Sequence, residues 1–335
     1  MMSKTLGNVL DPLEITEKHG TDAFRMALLI SAGAGSDIVY SEDRVIAARA
    51  FANKIWNAAR LVLSAAPTNQ PATTQPSLED RWIKSRIART TEEVNRALEQ
   101  HRYHEAAHML WHAFWGDFCD WYLEINKLNP DRSQLVGIFE TYLRLLHPVM
   151  PFITEELWHR LGHETSIALQ PYPKVEGIDE EAERDMALLQ EMITAARAIR
   201  ADHNIDKKLV LEGQLYTRNG ARAVAQNHLE VLQKLANVKL AVSSETPRKL
   251  EGAIRSTPDF DLRLETPEAD LNAQRNRLRK EVDQYTKLVA DKDRQLANEK
   301  FLASAPTHVV EGLRQKREEY QAQLEKSQAA LNNLQ

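Results

Sequence analysis

Apolar residues recur at helical spacing through most of the chain and switch to alternation only after residue 208. Asp11-Pro12-Leu13-Glu14 opens the first helix: Asp11 caps, Pro12 suits the first helical position and Glu14 completes a capping box. Ile15, Phe24, Leu28 and Leu29 carry its stripe, and Gly33 to Asp37 end it. A second helix spans about Ser41 to Ser64, with Phe51, Ile55, Trp56 and Leu63 inward. Ala65 to Ser77 is rich in Pro, Thr and Gln without period, and reads as a surface loop.

Leu78 to Gly162 reads as a helical bundle. Ser77 caps a helix carrying Trp82, Ile83, Ile87, Val94 and Leu98. The next presents Leu110, Phe114, Phe118, Trp121, Tyr122 and Ile125 on one broad face and stops at Asn129-Pro130-Asp131. Leu135, Ile138, Phe139, Tyr142 and Leu146 make a third, ended by His147-Pro148 and Pro151. Thr154 to Trp158 starts a short fourth. Beyond Tyr172-Pro173, Glu180 to Ala201 is helical. Leu209, Leu211 and Leu215 alternate as in a strand, which Gly213 interrupts. Ala221 to Ala236 predicts a helix, and Val238–Val242 and Phe260–Leu264 predict strands. From about Pro267, Leu271, Leu278, Val282, Tyr285, Val289 and Leu296 keep heptad spacing, as do Leu313, Tyr320, Leu324 and Leu331. Phe301 to Pro306 breaks the heptads, so an antiparallel coiled-coil hairpin is expected. The fold class is mainly α, with a small α/β domain before the hairpin.

Composition narrows the function classes. A chain of 335 residues holds two or more domains. Its single cysteine, Cys119, excludes a disulfide framework or a Cys-rich zinc ribbon within it and fits a reducing cytoplasm. No run of about twenty apolar residues is present, so no membrane partner is expected; nor does a signal peptide open the chain. The net charge of -5 is a weak veto on nucleic acid, because RNA is met by local basic and aromatic surface. His104-Glu105-Ala106-Ala107-His108 matches the zinc-protease pattern on a helix. The metzincin extension fails, with Trp111 and Phe114 at its glycine and third-histidine positions. Glu124 or Glu140 as a third ligand has no supporting motif, and no metal site is expected.

The first dozen residues hold the candidate chemistry. Lys4, in the short loop Met2-Ser3-Lys4-Thr5-Leu6-Gly7, is a mobile point charge beside backbone donors, suited to stabilising charge that builds on phosphates during in-line attack. Taken alone, Met-Ser-Lys-Thr fits equally a helix-leading loop with an incidental lysine. With Leu6-Gly7-Asn8-Val9-Leu10-Asp11-Pro12 included, the stretch resembles the second signature of class I aminoacyl-tRNA synthetases of the valine, isoleucine and leucine branch. Met1 stands where that family has its first lysine, and Thr5 where it has a final serine. Asn53-Lys54-Ile55-Trp56-Asn57 resembles the opening helix of the valine-type anticodon-binding bundle. Phe114 to Glu124 resembles its valyl version most closely, and Leu143 to Trp158 belongs to the whole branch. Tyr103 to Ala107 falls where valine enzymes carry an aromatic-Asn-Glu-Ala-Ala string, which further disfavours zinc. Arg197 to Ile205 resembles the string leading into the family's small junction domain. Leu296 to Val310 resembles the tip of its C-terminal tRNA-binding arm.

The resemblance implies a mainly α chain in four parts. These are residues 1–44, the signature loop and end of the catalytic region; 45–175, a helical-bundle anticodon-binding domain; 176–266, a small α/β junction domain; and 267–335, an antiparallel coiled-coil arm reaching the tRNA elbow. It implies ATP-dependent joining of valine to its tRNA, with ATP and Mg²⁺ as cofactors of the full enzyme. Lys4 would be the catalytic residue, and Met2, Ser3, Lys4 and Thr5 would bind ATP. Candidate tRNA contacts are Asn53, Lys54, Trp56, Asn57, Arg60, Phe118, Asp120, Trp121 and Lys127 in the bundle. Arg275, Arg279, Lys280 and Lys300 are candidates in the arm, where Arg277 belongs to the same basic cluster; this cluster fits either phosphate contact or a solvated face. The partners implied are valine tRNA and, through the catalytic half, ATP and valine, with the chain monomeric. The chain carries no His-Ile-Gly-His signature, Rossmann half or editing domain. It therefore reads as the C-terminal part of a larger enzyme, with negligible adenylation by this polypeptide alone. A non-catalytic tRNA-binding module and a helical assembly scaffold are the alternative readings.

Overall fold

The computed structural model describes residues 10–31, 33, 35, 37–64, 76–129, 132–175, 177–218, 220–245, 252–266, 268–297 and 307–332. Of these, the side chains of 268–277, 307–309, 326, 330 and 332 are not described. The chain divides into two compact units, Met1–Gln190 and Glu191–Gln335.

The first unit is helical. Helix α1 (Pro12–His19) starts as its cap predicts, with the Leu13 N–H donating to Asp11 Oδ1 at 2.9 Å. Gly20, at φ 92°, then turns the chain, so α2 (Thr21–Ser31) is a separate helix rather than a continuation of α1. The turn rotates the stripe: α2 buries Ala23, Met26 and Ala27, while Phe24, Leu28 and Leu29 are only half-buried. Helix α3 (Glu42–Ser64) buries Val45, Ala48, Phe51, Ile55, Ala58, Ala59 and Val62. Trp56 lies at the edge of that face, and Leu63 is exposed. Helix α4 (Leu78–Glu99) is capped by Ser77, whose Oγ accepts from the Asp80 N–H at 3.3 Å.

Helix α5 (Tyr103–His112) runs into a π-helical stretch, Ala113–Tyr122, and on into α6 (Leu123–Asn126). The bonding to the fifth residue widens the turn. Phe114, Phe118 and Tyr122, four apart, therefore all point inward at 0% exposure. Trp121 drops off that face and is half-buried. Helix α7 (Leu135–Leu146) adds Phe139 and Tyr142, and Phe118 lies 5.8 and 5.1 Å from them by ring centroid. Each such ring contributes about 1.5–3 kcal/mol by burial. Their hydroxyls are satisfied, Tyr122 donating to Asp80 Oδ1 at 2.7 Å and Tyr142 to the Ala113 carbonyl at 3.3 Å. Helix α8 spans Pro151–Arg160 and so begins three residues before Thr154. Pro151 occupies its first position, and the Asp22 carboxylate accepts from the Phe152 and Ile153 N–H groups at 3.2 and 2.7 Å. Helix α9 (Glu180–Asp202) is tied to α4 at its start by Arg81–Asp179 at 2.7 Å and Arg89–Glu183 at 2.8 Å.

In the second unit, β1 (Leu211–Thr217), β2 (Val238–Ser243), β3 (Ala253–Ser256) and β4 (Phe260–Leu264) form a sheet in the order β2-β1-β4-β3. β1 and β2 are parallel and joined through α10 (Ala221–Asn227) and α11 (Leu229–Ala236); β4 runs antiparallel to both β1 and β3. His228 breaks the single helix expected over 221–236. Leu209 and Val210 are exposed and precede the strand. Gly213 continues the strand, where a Cβ would stand 2.3 Å from the Arg263 carbonyl oxygen. The short edge strand β3 was not foreseen: four residues with an arginine offer too little alternation to detect.

Helices α12 (Glu268–Leu296) and α13 (Thr307–Asn332) pack on one another. Val289 and Leu324 are each 8% exposed. Tyr285 lies 6.4 Å from Tyr320 by ring centroid, and Arg317 bonds Asp293 at 3.0 Å. Residue numbers rise on one helix as they fall on the other, which makes the hairpin antiparallel, as the heptads predict. The break at 301–306 lies outside the described residues. Among the described residues no helix is long and apolar enough to cross a membrane.

Candidate functional site

One surface gathers most of the bundle residues singled out from sequence. The outward side of α3 presents Asn53, Asn57 and Arg60, all exposed, with Lys54 and Trp56 half-buried beside them. The π-helical stretch brings Asp120 to this side. Lys54 Nζ lies 3.0 Å from Asp120 Oδ1, with both side chains substantially exposed, and 5.1 Å from the Trp115 ring centroid. A cation so placed is attracted by the ring's face as well as by the carboxylate. Trp115 stacks on Trp111, with centroids 5.8 Å apart and planes at 5°, and Trp111 stacks on the buried Phe51 at 4.3 Å. Both tryptophans are half-buried, so they form an aromatic step anchored on the core with surface left over. Arg160, at the end of α8, sits over Trp56 of α3 at 4.9 Å, its guanidinium held by Glu156 at 2.6 Å.

Single-stranded RNA is bound in general by π-faces that take unstacked bases, cations that take phosphates and amide side chains that take base edges, and this surface carries side chains of all three kinds. Trp111, Trp115 and Arg160 were not among the residues chosen from sequence. The signal for the tryptophans lay in their spacing of four, which ends within the Phe114-Trp115-Gly116 string. Arg160 becomes relevant only through the fold.

Other candidates fare differently. Phe118 is at 0% exposure inside the aromatic core and offers no face to a base, which corrects its selection as an RNA contact. Trp121 is half-buried on a different side of the π turn from the core aromatics. Lys127 is exposed and paired with Glu124 at 2.6 Å. In the arm, Arg279 and Lys280 are exposed. The side chains of Arg275 and Arg277, and all of Lys300, lie outside the described residues, as do Met2, Ser3, Lys4 and Thr5.

His104, His108 and His112 recur every fourth residue along α5, His108 and His112 with ring centroids 6.3 Å apart. Partial burial, and then His112 and His104, push His108 below the ordinary histidine value. Among the described residues no group of three His, Cys, Asp or Glu side chains is arranged to hold a metal. Cys119 is buried beneath the surface and its thiol is pushed up to about 12, chiefly by burial, which disfavours the thiolate that nucleophilic or ligand chemistry needs.

The comparisons with known proteins point the same way. Residues 80–215 match the family described as the anticodon-binding domain of tRNA ligase, residues 270–335 the valyl tRNA synthetase tRNA binding arm, and residues 1–41 the class I tRNA synthetases for I, L, M and V. A valine–tRNA ligase of Solibacter usitatus is 49% identical over 97% of this chain, which covers 38% of that protein. One of Aquifex aeolicus is 36% identical over 99% of the chain, covering 31% of its length. Among solved structures, the LeuRS-tRNA-LeuAMS ternary complex of Agrobacterium radiobacter K84 overlaps 79% of this chain and 31% of that one with a TM-score of 0.45 at 18% identity, a likeness too weak to bear on the fold. The chain thus spans well under half the length of the curated relatives it matches. Along that span, by sequence identity and by the order of its matched regions, it belongs to the valine–tRNA ligase family.

Proposed function

We propose that this chain is the C-terminal part of a valine–tRNA ligase acting in the cytoplasm as a monomer. The first unit reads the anticodon of valine tRNA, and the coiled-coil arm holds the tRNA elbow. The observation that carries this reading is the Trp111–Trp115 step, which lies within the region matching the anticodon-binding family, with Lys54 of α3 placed against it. Lys54 and Arg60 meet phosphates, Trp115 and Trp56 offer π-faces to splayed bases, and Asn53 and Asn57 reach base edges. In the arm, Arg275, Arg279, Lys280 and Lys300 supply phosphate contacts that add affinity without reading sequence.

In the whole ligase, ATP with Mg²⁺ activates valine before transfer to the tRNA. During that activation Lys4 would stabilise charge on the departing pyrophosphate by positioning and electrostatics, with Met2, Ser3 and Thr5 binding ATP alongside it. The test is hydroxyl-radical footprinting of valine tRNA on the full 335-residue chain. Protection confined to the anticodon loop and the elbow is expected; protection of the acceptor stem alone would contradict the assignment.

A further inference from the structure

Between α4, α7 and residues 171–174 the first unit holds a cleft of about 430 Å³, the size of a small-molecule site. Lys84, Arg144 and Lys174 stand in its wall, and no Asp or Glu does, although the chain as a whole is acidic. Lys84 donates to Gln134 Oε1 at 2.8 Å. Arg144 donates to the Pro171 carbonyl and to Thr141 Oγ1, each at 3.3 Å, while its Nε is buried without a partner. The acid one turn from Arg144, Glu140, is held by His163 at 2.7 Å. The three cations therefore keep their charge unneutralised by any wall residue, and the local field favours an anion. The remaining wall includes Ile87, Ile138 and Tyr172, more apolar surface than a bare anion requires. Cations beside an apolar wall suit a ligand with a phosphate at one end and a flat ring at the other.

We propose that this cleft binds one nucleotide, with its phosphate on Lys84 and Lys174 and its base against the apolar wall. The nucleotide comes either free or as one splayed residue of an RNA strand. The site shares no residue with the α3 surface, and its existence does not depend on the reading of that surface.

Gly137 supplies the test. It lines the cleft, and a Cβ built there meets nothing within 4 Å. Gly137→Leu thus starts from an unobstructed Cβ at the cleft wall, adds apolar bulk there and replaces a poor helix former with a good one. Lys84→Gln/Lys174→Gln is the second variant. Titration of the full chain with AMP, inorganic phosphate and a short single-stranded RNA is expected to show AMP binding about tenfold tighter than phosphate, and at least about tenfold weaker in either variant. RNA binding weakened in parallel identifies the strand as the source; RNA binding indifferent to both variants identifies the free nucleotide. AMP binding unchanged by Gly137→Leu, phosphate binding equal to AMP, or no AMP binding would overturn the proposal. Trp115→Ala separates the two sites: RNA affinity lost there and untouched by Gly137→Leu, with no AMP binding, leaves the α3 surface standing and removes the cleft.

Discussion

Lys54 and Asp120, 66 residues apart, meet at 3.0 Å on the surface where α3 faces the π-helical stretch. The pair has opposite meanings for RNA, since Lys54 attracts phosphate and Asp120 repels it. Lys54→Ala is expected to weaken tRNA binding by about 1 kcal/mol, roughly fivefold, and Asp120→Asn to strengthen it by a similar factor. If the pair served only to hold α3 against the π stretch, both variants would weaken binding alike. Filter-binding titrations at one fixed salt concentration decide between these outcomes.

Between α4 and the π-helical stretch, Arg86 Nε lies 2.9 Å from Asp117 Oδ2, with the side chains 38% and 20% exposed. Burial pushes the Asp117 carboxyl above its ordinary value, and Arg86 partly offsets this. A carboxyl raised in the fold favours folding most at low pH, and that contribution fades as pH rises through its folded value. Arg86→Met removes the offset and raises the carboxyl further. The variant is expected to lose about 2 kcal/mol at pH 7, less than a fully buried pair would cost. The deficit should shrink as the pH is lowered toward 5. Urea melts of both proteins at pH 5 and 7 check the sign; a deficit that grew on acidification would contradict the assignment.

Cys119 is 4% exposed, and its thiol is pushed up to about 12. Maleimide at pH 7.5 should therefore label the native chain only through opening of the bundle, at a rate that follows denaturant, and label the unfolded chain at once. Immediate stoichiometric labelling in native buffer would mean that the π-helical stretch is not packed as described.

In the second unit, Gly213 lies in β1 where a side chain would meet the Arg263 carbonyl and Leu264 of β4, the nearer at 2.3 Å. Gly213→Ala should force β1 and β4 apart at a cost of about 2–3 kcal/mol. Thermal melts followed by circular dichroism measure this. A variant as stable as the parent would refute the close approach.

What the sequence disclosed follows from what each signal depends on. The helices with caps and stripes were legible at Asp11-Pro12, at Ser77 and along α7, because propensity and periodicity are local. Heptads made the hairpin legible. The Gly20 turn and the π stretch were not, since both alter register through backbone choices that leave the apolar count unchanged. Hence Phe118 read as a candidate contact although it is core, while Trp111 and Trp115 went unselected although they build the surface step. The start of α8 shows the same limit: its cap is Asp22, 131 residues away from Ile153, and no local reading finds such a partner. The likeness of the signature loop was plain in the residues, because it rests on a contiguous string, Met2 to Pro12, rather than on tertiary contacts.

The most direct test of the account compares the affinity of the full chain for tRNA bearing a valine anticodon with that for a tRNA differing in its anticodon, at the same salt concentration. The account predicts about a tenfold or larger preference for the valine tRNA, lost in Trp115→Ala, because base contacts specify while phosphate contacts only hold. Equal and steeply salt-dependent affinity for both tRNAs would contradict it, and would mean that the arm and basic surface grip RNA without reading the anticodon.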